Sequence, residues 1–325
     1  MTLTMARRRV LLAVALGLSC ACATAQTFPS RGVTIVSPFA PGGPNDLIAR
    51  TLATRFTEAL GVPVVVENRG GAGGTVGTGL VARAAPDGHM LLLGGPSSLA
   101  IAPHLYAKLP YDSMRDFAPI SNVALTPYVL AVNPRVPAKS LADVIRIAKS
   151  RPEALSFGSS GAGSVSHLAA ELLSATARLQ LVHVPYKGTV PSITAMVSGD
   201  VDMMFADFSL IDSLSRAGKL RLIAVAGRKR SAALPGVATV IESGIPDFVM
   251  EGRFGLLAPA GTPRDTVARL HALVVSTIRS GDVRARFSQL GYEPLGDTPD
   301  EFAALIRTDH ERFGRLIRSL GLKAD

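Results

Sequence analysis

The chain has 325 residues, 34 Lys+Arg against 25 Asp+Glu and a formal net charge of +9, with 5% aromatic residues and no Trp. Beyond the N-terminus its longest basic run is Arg228-Lys229-Arg230, so the stacking platforms and phosphate tracks of a nucleic-acid binder are missing and a small acidic ligand suits the diffuse charge better. Roughly 300 residues after processing suffice for two α/β domains.

At the N-terminus, Arg7, Arg8 and Arg9 precede an apolar run, Val10–Leu18, and Ala23-Thr24-Ala25 supplies an A-x-A cleavage site. Residues 1–25 therefore read as a cleaved secretory signal peptide, and the mature chain as periplasmic. Arg8-Arg9 also resembles a twin-arginine signal, but ordinary basic leaders share it and the general export route is favoured. Cys20 and Cys22 both fall in the leader, which leaves no disulfide and no Cys-based metal site. The six histidines form no i/i+4 pair, so neither a metal nor a cofactor is expected.

The segment Thr34–Arg50 places a strand (Val33–Val36), a Pro/Gly turn and a helix start (Asp46–Leu60) in succession. Gly42 and Gly43 allow close backbone approach, and Asn45 or Asp46 can cap the helix. The first N–H groups of such a helix lack internal partners and sit at the positive end of its dipole, which makes the turn an anion cradle.

Further strands are expected at Val64–Val66, Met90–Leu93, Tyr128–Val132, Leu155–Phe157, Leu181–Val184, Val201–Phe205, Arg221–Ala226 and Gly255–Ala258. Helices are expected at Thr75–Ala84, Leu141–Lys149, Ser166–Ala177, Ser192–Ser198, Leu210–Ala217, Arg264–Ser280, Val283–Leu290 and Pro299–Leu320. This alternation implies parallel sheets covered by helices on both faces. Ser231–Pro246 reads as a long surface loop.

Polar turns recur at the strand ends, where open α/β sheets bind ligands. Gly94–Ser98 brings Ser97 and Ser98. Phe157–Ser164 repeats the cradle logic with Ser159, Ser160 and Gly161, followed by His167, which either makes local contacts or donates to a ligand carboxylate. Ala162 stands where a Gly-x-Ser-x-Gly nucleophile elbow needs glycine. Tyr186 and Lys187 end another strand and can face a cleft, although an isolated lysine is more often solvated. Asp207 either caps the next helix or partners a ligand amine or bound water.

The chain also closely resembles the Bug-type periplasmic solute-binding receptors of tripartite tricarboxylate transporters, from about Phe28 to Leu322. The resemblance rests on PFAPGGPND (38–46), VVVENRGGAGG (64–74), AAPDGH (84–89), KLPYD (108–112), FGSSGAGSVSHLAAEL (157–172), HVPYKGT (183–189) and FGLLAPAGTP (254–263), in this order. It implies a two-lobed α/β periplasmic binding protein of type II, two Rossmann-like domains joined by two crossing strands, that closes on a small carboxylate without catalysis. Carried over by residue, the first loop maps to Phe39, Ala40, Gly42, Gly43 and Asp46, the second to Ser159, Ser160, Gly161 and His167, and the strand-end acid to Asp207. Ala162 and Val165 replace an Asn or Gln common in the second loop, and Phe254 replaces the usual Trp, which touches the ligand's identity more than its class.

The expected lobes are residues 26–126 with 255–325, and residues 127–254, crossed by Tyr128–Val132 and Gly255–Ala258. Partners would be a small carboxylate and the membrane subunits of the transporter, or else a sensor kinase, with the receptor a monomer. A secreted hydrolase is the enzyme alternative; it would need a nucleophile–base pair.

Overall fold

Short β-branched runs and amphipathic helices alternate along the chain, and the computed structural model, which describes residues 28–323, shows how they divide into two lobes. The signal-peptide reading of residues 1–25 lies outside the described residues. The first lobe begins with β1 (Val33–Ser37), α1 (Pro44–Leu60), β2 (Val64–Asn68), α2 (Thr75–Ala82), β3 (Met90–Gly94) and a π-helical turn, Ser97–Ile101, that runs into α3 (Ala102–Leu105). Strand β4 (Phe117–Val132) then crosses to the second lobe. There follow α4 (Leu141–Ser150), β5 (Ser156–Ser159), α5 (Val165–Ala177), β6 (Val182–Pro185), α6 (Thr189–Ser198), β7 (Met203–Asp207), α7 (Phe208–Arg216) and β8 (Arg221–Val225). Strand β9 (Glu251–Pro259) returns to the first lobe, which ends with α8 (Arg264–Arg279), α9 (Gly281–Gln289), β10 (Glu293–Pro294) and α10 (Pro299–Leu320).

The first sheet has the order β2-β1-β3-β9-β4, with β10 also on β4; the second has β8-β4-β7-β5-β6. Two strands thus connect the lobes. Pairs β1–β2, β1–β3, β5–β6 and β5–β7 are parallel, but β4 and β9 run antiparallel to every strand they pair with, so the sheets are mixed rather than parallel throughout. The reason is topological: a strand that leaves one sheet to enter the other, and the strand that returns, run in opposite directions.

Tyr128–Val132 is only the far end of the 16-residue β4. Its near end, with Pro119, Ser121, Asn122 and Pro127, lacks an apolar signature and is held by β9 through a ladder with two register shifts. Likewise Gly94–Ser98 is not all turn, because Pro96 already has helical angles (φ −54°, ψ −36°) and starts the π-helical turn at Ser97.

Alternation along each strand splits the core into layers. Ile35, Leu91, Leu93 and Leu256 face one side of the first sheet with Ile48, Leu52 and Phe56 of α1, while Val36, Leu92 and Leu257 face the other with Phe302 and Ile306 of α10. In the second lobe Leu130, Phe157 and Phe205 pack on one face with α5, and Val129, Met204 and Ala206 on the other with Met196 of α6. Helix α10 joins both lobes. Its far half, Phe313 and Ile317, belongs to the second-lobe layer that holds Phe157.

Candidate functional site

The first loop owes its shape to what lies behind it. Gly43 (φ −80°) is the N-cap of α1, no side chain caps the helix, and Pro44 carries no N–H. The backbone N–H groups of Asn45 and Asp46 therefore begin the helix without a side-chain acceptor. This departs from the expectation that Asn45 or Asp46 caps the helix, because they lie two and three residues past the N-cap Gly43, already inside the first turn. Asn45 Nδ2 instead donates to Leu93 O at 2.9 Å. Asp46 is buried and accepts from Gly42 N and Arg50 Nε, each at 3.0 Å. Burial alone would raise its pKa, but hydrogen bonds from Arg50, Gly42 and Asn68 outweigh it and hold the carboxyl below its usual range. Asp46 thus buttresses the loop from the rear.

The glycine-rich run after β2 explains itself here. A Cβ on Gly70 would lie 3.3 Å from Ala40 N, on Gly74 3.1 Å from the Phe39 ring, and on Gly77 2.9 Å from Pro38 Cα. Those glycines let a second loop press against the back of Pro38–Ala40.

The cleft spans about 630 Å³, open solvent included. The first lobe contributes Phe39–Pro41, Gly43–Asn45 and Gly95–Ser97. The second contributes Ser160, Val165 and Gly188–Val190, and the crossing strands contribute Tyr128 and Gly252–Phe254. The lobes meet closely: a Cβ on Gly188 would be 3.5 Å from Ala40 Cβ, and one on Gly42 would be 3.9 Å from Val190 Cγ2. This is a closed arrangement.

Of the sequence-expected site residues, the structure gathers Phe39, Ala40, Gly43, Ser97 and Ser160 around the cleft, with Gly42 against its far wall. Asp46, Ser159, Gly161, His167, Tyr186, Lys187 and Asp207 do not border it. The second loop spends its donors on itself. Ser160 N donates to Ser166 Oγ at 3.0 Å, Gly161 N to Ser159 Oγ at 3.2 Å and Gly163 N to His167 Nδ1 at 3.3 Å. His167 stacks on His183 with centroids 4.1 Å apart, and His183 on Phe157 at 4.8 Å. Burial, then the neighbouring His167, pushes His183 down to about 4, so it is neutral.

Ser159 Oγ and His183 Nε2 lie 2.7 Å apart, the one hydrogen bond between a serine hydroxyl and an imidazole ring among the described residues. It is no nucleophile–base pair open to substrate, since Ser159 is fully buried and already accepts from Gly161 N. Asp207 is buried and caps α7, accepting from Ser209 N at 3.0 Å and Ser209 Oγ at 2.6 Å. Burial raises its pKa to about 6. Lys187 is exposed and Tyr186 packs on the α6 layer.

The second-lobe donors at the cleft come instead from the start of α6. Gly188 (φ 130°) is its N-cap, again with no side-chain cap, and Thr189 and Val190 line the cleft. Two uncapped helix N-termini, one per lobe, therefore meet across one space whose lining contains no Asp or Glu. Within HVPYKGT, Tyr186 and Lys187 are the conspicuous side chains, while Gly188 before a helix start is the sequence signal for the residues that line the cleft. Tyr128, whose phenol is pushed up by burial and by nearby Asp207, and Arg253 line the cleft from the crossing strands, where the surrounding sequence gives a strand signal and no ligand signal.

The model of the tripartite tricarboxylate transporter family receptor matches residues 48–322. The protein BugT of Bordetella pertussis is 35% identical over 301 residues, covering 92% of this chain and 92% of BugT. MatC from Rhodopseudomonas palustris, solved with bound malate, has a TM-score of 0.84 at 35% identity and covers 89% of this chain and 100% of its own. An R. palustris protein solved with adipate has a TM-score of 0.88 at 31% identity, covering 91% of this chain and 99% of that one.

Proposed function

The chain belongs to the tripartite tricarboxylate transporter receptor family, and on that premise we propose that it is a periplasmic receptor that captures a small carboxylate between its lobes and delivers it to the membrane subunits of such a transporter. The ligand class is a mono- to tricarboxylate, or a small aromatic or amino acid. The observation that carries this reading is the pair of uncapped helix starts, α1 and α6, facing each other across a cleft lined by no acidic side chain. Each charge-assisted hydrogen bond from such a start contributes about 1.5–3 kcal/mol, so a few reach micromolar affinity after ordering costs.

Because the donors come from both lobes, ligand stabilises the closed arrangement only by touching both at once, and its differential affinity sets the shift. The lobes are taken as residues 26–126 with 255–325, and residues 127–254. The chain works as a binding protein, not as an enzyme, and its export through the 1–25 leader places it outside the cytoplasm. A thermal-shift screen of purified protein tests the reading: small carboxylates should raise the melting temperature, and sugars and nucleotides should not. Stabilisation by sugars alone would overturn it.

A further inference from the structure

Among the residues that line the cleft, Arg253 is the one with an ionised side chain. It lies on β9, so it sits between the two lobes rather than in either helix-start cradle. Its guanidinium is held in place. Nη1 donates to Asp309 Oδ2 of α10 at 2.8 Å, and Nη2 to Glu251 Oε2 at 3.4 Å. Arg312 Nη2 is 3.6 Å from Asp309 Oδ1, so two cations and two anions balance locally. A guanidinium has five N–H donors, and these two bonds occupy two of them. The side chain keeps 20% of its surface accessible.

The space around Arg253 is continuous in outline. Behind the cleft lies a chamber of about 290 Å³, open solvent included, which shares Gly95, Pro96 and Arg253 with it and is lined further by Leu99, Phe302, Ile306 and the carboxylate of Asp309, which Arg253 already pairs. Gly95 is needed there, since a Cβ would lie 2.4 Å from Arg253 O. A positioned fork of donors thus stands between the cleft and a space that is apolar apart from Asp309, its ion-pair partner. A carboxylate matches that fork in geometry and charge, and the 3.4 Å contact to Glu251 is the weaker tie to exchange. An alkyl end at the same place would cover the remaining N–H groups without pairing them.

We propose that Arg253 is a specificity-determining residue that reads a second carboxylate at the far end of the ligand, so that this receptor selects dicarboxylates over monocarboxylates of equal length. The inference rests on the receptor reading above and narrows its ligand class. A site built to pair a polar group rejects an analogue that lacks it far more strongly than an apolar pocket rejects an extra methylene.

The test is calorimetry on the full mature chain with matched pairs: succinate and butyrate, glutarate and pentanoate, adipate and hexanoate. For the pair of fitting length, the dicarboxylate should bind at least about 10-fold tighter. Arg253→Met should collapse that ratio toward one, and Arg253→Lys should restore part of it. Since Arg253→Met leaves Asp309 unpaired and can destabilise the chain, Arg253→Met with Asp309→Asn is measured beside it. An unaltered ratio in a folded Arg253→Met variant, or no preference in the parent chain while both acids bind, overturns this proposal and leaves the receptor reading standing. Should no acid of any pair bind the parent chain, this proposal falls, and the receptor reading is decided by the thermal-shift screen of the wider set of carboxylates.

Discussion

Replacing Gly43 by valine should abolish capture while sparing the fold. Gly43 has φ −80° and ψ 174°, angles open to any residue, and an ideal Cβ there would find only Ala40 O, at 3.6 Å. The protein therefore has room for the side chain, and its branches enter the cleft that Gly43 borders. They would occupy the approach to the first N–H groups of α1. Losing one to two charge-assisted hydrogen bonds costs about 1.5–3 kcal/mol each, which together weakens binding by ~10- to 10⁴-fold. Valine is a poorer N-cap than glycine, at a cost of about 1 kcal/mol, so the melting temperature should fall by only a few degrees. Titration calorimetry with a carboxylate found by thermal shift reads the affinity, and far-ultraviolet circular dichroism checks the fold. Gly43→Ala should fall between parent and valine. A folded Gly43→Val protein with parental affinity would remove the start of α1 from the site.

Ala40→Leu, placed where a Cβ on Gly188 comes within 3.5 Å, should hold the lobes apart, and small-angle scattering with saturating ligand should then show a larger radius of gyration than the parent under the same conditions. Equal radii would mean the lobes do not close through this contact. Gly255→Ala should lower stability by about 1–3 kcal/mol in thermal denaturation, because the added Cβ would sit 2.0 Å from the Phe302 ring in the packed first lobe; an unchanged melting temperature would refute that packing. For Asp207 the native pKa of about 6 lies above the ordinary 3.8, so the folded chain binds the proton more tightly than the unfolded one. Its stabilising protonation is complete below about pH 4 and lost as pH rises through 6, at a cost of roughly 3 kcal/mol at most. Asp207→Asn, which keeps an acceptor for Ser209 N, should therefore be more stable than the parent at pH 8 relative to pH 4; a pH-independent difference in denaturant midpoints would remove the carboxyl from that account.

Much of this chain was legible from short-range signals. The strand, Gly/Pro turn and helix from Val33 to Leu60 fall where local chemistry puts them, since Gly43 and Pro44 act within a turn of each other. Thr298 and Glu301 form a capping box that starts α10 where Pro299 predicts it, and Ser164 caps α5 by accepting from His167 N. Such signals depend on neighbours three or four residues away, which a linear sequence displays. The family motifs added the two-lobed plan.

Other features depend on partners far along the chain. The near half of β4 is a strand because β9, more than a hundred residues later, supplies its ladder; its own prolines and polar residues argue against it. The second glycine/serine loop looks like a cradle in sequence, yet its N–H groups turn inward to Ser159, Ser166 and His167, and a backbone donor can serve only one strong acceptor. Arg253 gains its place at the cleft from Asp309, 56 residues away on a helix that spans both lobes. Sequence alone thus determined most of the elements and the uncapped start of α1, because propensity and capping act locally. Which donors remain free for a ligand was decided only by tertiary structure, because each hydrogen bond is won or lost among groups that the fold alone brings together.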